Sequence, residues 1–128
     1  MIIRILFIFL GGGLGSVLRY IVSGYFQRFT DSNFPLGTLG VNFIGCILIG
    51  LLASLLTGPV LIREEYRIAI LVGLLGGFTT FSTFTWESLT LTGGGQYLWA
   101  ILNIVLSNIL GLAAAWAGSR LTMMIYGC

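Results

Sequence analysis

The stretch Gly76-Gly77-Phe78-Thr79-Thr80-Phe81-Ser82-Thr83-Phe84-Thr85-Trp86-Glu87 lies inside a long apolar segment yet carries five hydroxyls and an acid. On a continuous α-helix, at about 100° per residue, those hydroxyls point in nearly every direction and leave no face wholly apolar. Irregular backbone at membrane depth persists only where protein encloses it or where it lines a polar cavity. The stretch therefore reads as a helix broken near residues 76–80, enclosed by protein, with freed carbonyls available to a cation. The bland alternative is a regular helix whose Ser and Thr hydroxyls bond back to their own carbonyls.

The rest of the chain requires a membrane around that stretch. Of 128 residues, 57% are hydrophobic and 8% charged, and mean hydropathy is +1.04. A soluble domain is about 25% charged, and ten ionic side chains cannot cover a small protein's exposed surface. Crossing a hydrocarbon core takes about 20 mostly apolar residues. The sequence accommodates four such spans, at 4–26, 36–57, 66–91 and 97–122, with short connections. The predicted architecture is an all-α integral membrane protein, a single four-helix domain over 1–128 with a broken third helix. The apolar run Ile5 to Leu10 after Arg4 has no small-residue cleavage site behind it and reads as part of a retained span.

Charge and thiols narrow the chemistry. The basic residues are all arginines, at 4, 19, 28, 63, 67 and 120; the acids are Asp31, Glu64, Glu65 and Glu87, and there is no His or Lys. A scattered net charge of +2 argues against nucleic-acid binding. Without His, the commonest general base and metal ligand is missing. Cys46 and Cys128 fall on different segments, so neither a disulfide nor a metal cluster is expected. Arg4, Arg63, Arg67 and Arg120 gather on the side of the termini and Arg28 on the other. That bias toward cytoplasmic termini is modest and leaves insertion in both orientations open.

Small residues recur at helix-contact spacing in Gly11-x-x-x-Gly15, Gly73-x-x-x-Gly77 and Ala114-x-x-x-Gly118, which read as packing seams. Four short helices enclose little interior, so oligomerisation is expected, most simply as a dimer. Phe81 and Phe84 share a helix face: either a packed pair, or ring edges whose partial positive charge can meet a small anion. Asn42 lies in span two, where an uncompensated amide costs several kcal/mol and must face a partner or water. Asn103, Ser107 and Gly111 form an i, i+4 stripe, either interhelical bonding or a pore lining. Arg19 and Glu87 are the intramembrane ions. Arg19 is suited to drawing anions to a vestibule or to pairing with a carboxylate or carbonyl ends; Glu87, nearer a span end, to capping or pairing. Together these features describe a polar track for a small ion. Donors and an arginine favour an anion; carbonyls at a broken helix favour a cation.

The run Gly76 to Phe84 closely resembles the signature of the small bacterial fluoride channels, the Fluc/CrcB family. Gly11-Gly12-Gly13-Leu14-Gly15-Ser16-Val17-Leu18-Arg19-Tyr20 is similar to the family's first-helix motif. Gly37-Thr38-Leu39-Gly40-Val41-Asn42 and Ser107-Asn108-Ile109-Leu110-Gly111-Leu112 are similar to its second and fourth helices. The resemblance implies an antiparallel, dual-topology homodimer in the bacterial inner membrane, with two fluoride pores and no enzymatic activity. It assigns Phe81 and Phe84 to a phenylalanine box contacting fluoride, and Asn42, Thr38 and Ser107 to the pore. Thr80, Ser82 and Thr83 belong to the same signature, and Arg19 matches an arginine near the vestibule. Backbone carbonyls of Gly76 and Thr79 match those that hold a structural sodium ion at the dimer interface. Three positions depart: Asn103 aligns with a tyrosine of the family's pore, a place where its amide can still donate to fluoride, Leu74 stands where the family carries an aromatic, and Ser16 where it carries an alanine. The competing reading, a small proton-coupled transporter of dual topology, centres on an acid in the first span, where this chain has Arg19. A structural membrane protein would leave the polar track without purpose, and an enzyme would lack a nucleophile–base pair.

Overall fold

The computed structural model describes residues 1–127, which form helices joined by short turns. Helices α1 (Ile2–Gln27) and α2 (Leu36–Thr57) are continuous. The third span is pieced together from α3 (Glu64–Ile68), a π-helical segment (Ala69–Leu74), α4 (Leu75–Phe78) and α5 (Phe81–Gly93). Helix α6 (Tyr97–Tyr126) runs for 30 residues, about 45 Å at 1.5 Å per residue. Four stretches are long and apolar enough to cross a membrane, at 2–27, 36–57, 64–93 and 97–126. The expected second span matches to the residue. The others are three or four residues longer, because hydropathy falls at the edge of the hydrocarbon whereas helical hydrogen bonding continues beyond it. Cys128, expected not to pair with Cys46, lies outside the described residues.

Two pairs of elements carry the packing. Helix α2 lies along α6, and α1 lies along the π-helical segment and α4. The small-residue motifs are the seams of these pairs. A Cβ on Gly15 would run into the carbonyl oxygen of Leu74 and come within 2.9 Å of the Phe78 nitrogen. On the other seam, a Cβ on Gly118 would collide with the Ile47 carbonyl and lie 2.9 Å from the Leu51 nitrogen. Lipid is as apolar as Leu, so helices associate through such close backbone approach rather than through a hydrophobic drive. Hydroxyls reinforce the α2–α6 seam: Ser54 Oγ donates to Ser119 Oγ at 2.8 Å, and Thr122 Oγ1 to the Leu51 carbonyl at 3.0 Å.

The ends are tied by polar contacts. Gln27, expected to open the first loop, is the last residue of α1. Its amide donates to the Phe34 carbonyl (3.1 Å) and its oxygen accepts from the Gly37 N–H (2.9 Å), one of the unpaired donors that begin α2. At the opposite end, Arg4 meets Glu64 at 2.9 Å, placing the starts of α1 and α3 on one side. Both side chains are about half exposed, so the pair stabilises little.

Because the Gly118 seam is backbone against backbone, Gly118→Ala is expected to cost about 1–3 kcal/mol. It should lower the melting temperature in detergent, measured by thermal unfolding. Gly93→Ala, where a Cβ meets nothing within 4 Å, should leave that temperature unchanged.

Candidate functional site

The helical backbone stops at Phe78 and resumes at Phe81. Between them Thr79 (φ −79°, ψ 159°) and Thr80 (φ −150°, ψ 116°) are extended. At Thr80 two groups from other parts of the chain stand in for missing helical bonds. The Thr80 N–H donates to Asn42 Oδ1 at 2.8 Å, and Asn42 Nδ2 donates to the Thr80 carbonyl at 2.9 Å. The Thr80 hydroxyl caps α5, accepting the Thr83 N–H at 3.2 Å and donating to Thr83 Oγ1 at 2.9 Å, a cap worth about 1 kcal/mol. Asn42 Nδ2 carries two hydrogens; one is given to Thr80 and the other remains available.

These exchanges leave carbonyls short of donors. The Gly76 carbonyl would ordinarily accept from the Thr80 N–H, which is committed to Asn42. The Thr79 carbonyl would accept from the Thr83 N–H, which is committed to the Thr80 hydroxyl. It takes instead a long contact of 3.4 Å from the Arg19 guanidinium. Of the partners open to Arg19 in the sequence, the structure supplies a carbonyl end.

Two cavities meet here, and Thr80 lines both. The larger, about 880 Å³, is bordered by Arg19, Arg28, Thr38, Thr83 and Gln27, among others; it has two arginines on its wall and no acid. The smaller, about 350 Å³, is bordered by Asn42, Gly76, Thr79, Phe81, Phe84 and Ser107, together with Cys46 and Asn108, and has no formally charged residue on its wall. The rings of Phe81 and Phe84 lie 5.5 Å apart at 47°. Phe84 is buried, whereas Phe81 is 79% exposed in the single chain.

The residues predicted from the sequence thus divide. Asn42, Phe81, Phe84, Ser107, Gly76 and Thr79 share the smaller cavity; Arg19, Thr38 and Thr83 share the larger. Ser82 is exposed and lines neither. Asn103 also lines neither: it is fully buried, with Nδ2 donating to Ser88 Oγ at 2.9 Å. Glu87 pairs with a hydroxyl rather than a cation, Thr38 Oγ1 donating to its Oε1 at 2.7 Å. Cys46, which carried no site assignment from the sequence, lines the smaller cavity, with Sγ 3.4 Å from where a Cβ on Gly111 would stand.

The model of the CrcB-like family, described as "CrcB-like protein, Camphor Resistance (CrcB)", matches residues 6–119. The chain belongs to this family. It is 43% identical over 122 residues to a protein of Maridesulfovibrio salexigens, covering 95% of this chain and 97% of that one. A Rhodospirillum rubrum protein is 47% identical over 116 residues, 88% of this chain and 89% of its own. A Phocaeicola vulgatus protein is 46% identical over 114 residues, 89% and 93% respectively. All three relatives are named fluoride-specific ion channel FluC, the name of a channel and not of an enzyme. With four spanning helices, the CrcB-like chain is a multi-pass membrane protein.

The Asn42–Thr80 pairing can be tested directly. Asn42→Leu leaves a backbone N–H and a carbonyl unpaired, at about 1–3 kcal/mol for a buried group. Amide hydrogen exchange at Thr80 is expected to accelerate roughly tenfold to a hundredfold, with exchange along α2 and α6 unchanged.

Proposed function

We propose that this chain is a fluoride channel that lets fluoride leave the cell passively across the bacterial inner membrane. One observation carries the reading: an uncharged cavity whose wall includes amide, hydroxyl and aromatic side chains among aliphatic ones adjoins a larger one whose wall holds arginines and no acid. Fluoride is small and strongly hydrated, so a pore must replace its water with donors. Arg19 and Arg28 raise the local anion concentration at the larger cavity. Asn42, with an N–H to spare, the Ser107 hydroxyl and the ring edges of Phe81 and Phe84 then supply donors without a fixed charge to trap the ion. Thr38, Thr80 and Thr83 extend the hydroxyl lining toward the vestibule, and Ser82, outside both cavities in the single chain, would join it only at the face a partner covers.

A second copy completes the pore. Phe81 is 79% exposed, and Ser82 and Thr83 beside it are exposed in the third span, where lipid offers hydroxyls no partner. An antiparallel homodimer of dual topology, with two pores, covers these groups. The interruption at Thr79–Thr80 acts as the break in the third helix and lies against the partner. The Gly76 and Thr79 carbonyls, short of helical donors, are neutral oxygens of the kind that suit a hard cation. A Cβ on Gly76 would meet nothing within 4 Å, so its face is open to a partner. These two residues would hold the structural sodium ion, whose charge offsets anion repulsion in the paired pores. Arg19 already contacts the Thr79 carbonyl and would share it. Proton-coupled transport is disfavoured because no carboxylate or imidazole lines the smaller cavity.

Purified protein in liposomes is expected to release fluoride rapidly once a potassium ionophore shunts the charge, with chloride nearly excluded. Equal permeability to both ions, or strict dependence on a proton gradient, overturns the channel. Phe81→Ile should slow fluoride release about tenfold, an aromatic contact being worth up to about 1.5 kcal/mol, while the dimer persists by size-exclusion chromatography. Undiminished release would remove Phe81 from the pathway.

A further inference from the structure

We propose that Asn103 is a positioning residue that keeps the Ser107 hydroxyl off its own helix and ready to donate to an anion. The inference rests on the fluoride reading above. Several hydroxyls of the third span bond back to the carbonyl four residues earlier. Thr79, Thr85, Ser88, Thr90 and Thr92 do so at 2.8 to 2.9 Å. Ser107 does not: its hydroxyl lies 3.4 Å from Asn103 Oδ1, a long bond to a side chain.

The orientation of the Asn103 carboxamide follows from donor arithmetic. Ser88 gives its only hydroxyl hydrogen to the Phe84 carbonyl, so its oxygen is left to accept from Asn103 Nδ2 at 2.9 Å. That fixes the amide nitrogen toward Ser88 and the carbonyl oxygen toward Ser107. An acceptor facing Ser107 draws the hydroxyl hydrogen away from the backbone carbonyl of residue 103 without holding it tightly. Asn103 is fully buried and absent from the cavity wall, whereas Ser107 is on it. Asn103 therefore acts through Ser107. Without the carboxamide, the Ser107 hydroxyl falls back into the short helical bond made by its counterparts, and an arriving anion must break that bond.

The test compares Asn103→Leu, Ser107→Ala, the double variant and Ser88→Ala in liposomes, recording maximal fluoride release, half-saturating fluoride concentration and melting temperature. Asn103→Leu is expected to raise the half-saturating concentration roughly fivefold, about the worth of one hydrogen bond, with a smaller change in maximal release. The double variant should match Ser107→Ala alone. Ser88→Ala frees the carboxamide to turn and should move the same parameter in the same direction, which decides the matter if Asn103→Leu does not fold. Half-saturation within twofold of wild type in Asn103→Leu, or in Ser88→Ala where Asn103→Leu does not fold, overturns the proposal. Additive losses in the double variant also overturn it, since Asn103 would then act on fluoride independently of Ser107. Wild-type liposomes that release no fluoride overturn the channel reading, and this proposal with it.

Discussion

The reciprocal pair of hydrogen bonds between the Asn42 carboxamide and the backbone of Thr80 is the constraint from which the rest of the site follows. In hydrocarbon an unpaired peptide group costs several kcal/mol, which is why spans are normally unbroken helices. Two consecutive extended residues are sustained here because an amide side chain offers a donor and an acceptor at the right separation. The interruption then restarts a helix at Phe81. That restart places Phe81 and Phe84 one turn apart on the smaller cavity and leaves the Gly76 carbonyl without its helical partner.

Charge is distributed around this point in a way that suits an anion. Two arginines face the larger cavity, none faces the smaller, and Thr80 lines both. A fixed positive charge deep in a narrow pore would bind an anion too well to release it, whereas one at a wide mouth concentrates anions without holding them. The carboxylate of Glu87, the acid nearest this path, accepts the Thr38 hydroxyl.

The four spans were legible because hydropathy over twenty residues is a strong signal, and the seams because small residues at four-residue spacing serve one purpose in lipid. The hydroxyl scatter of 79–85 marked the third span as unusual and put the irregularity near 76–80, a range that contains the extended pair Thr79–Thr80. It did not name the group that pairs with Thr80. That group is Asn42, 38 residues away in sequence, and no local pattern encodes a partner so distant. The division into two cavities was likewise illegible. Thr80 and Thr83 read alike, yet the first lines both cavities and the second only one. For Asn103 the stripe with Ser107 revealed a shared face but not which side of it met the cavity. Ser88, the residue that draws the amide inward, sits on another helix.

A pore built from neutral donors faces a conflict that a charged one does not. Every hydroxyl in a membrane must be satisfied when no ion is present, yet a well-satisfied hydroxyl is a poor ligand. Most hydroxyls of α5 resolve this in favour of stability, with back-bonds of 2.8 to 2.9 Å. They keep the helix closed and offer an ion little. Asn42 meets the conflict by dividing its labour, one N–H to the backbone and one in reserve. Ser107 meets it with a long bond to a side chain. In the proposed channel, loosely held donors on an otherwise rigid frame would let an anion exchange partners at low cost at each step, and conduction requires that exchange more than tight binding.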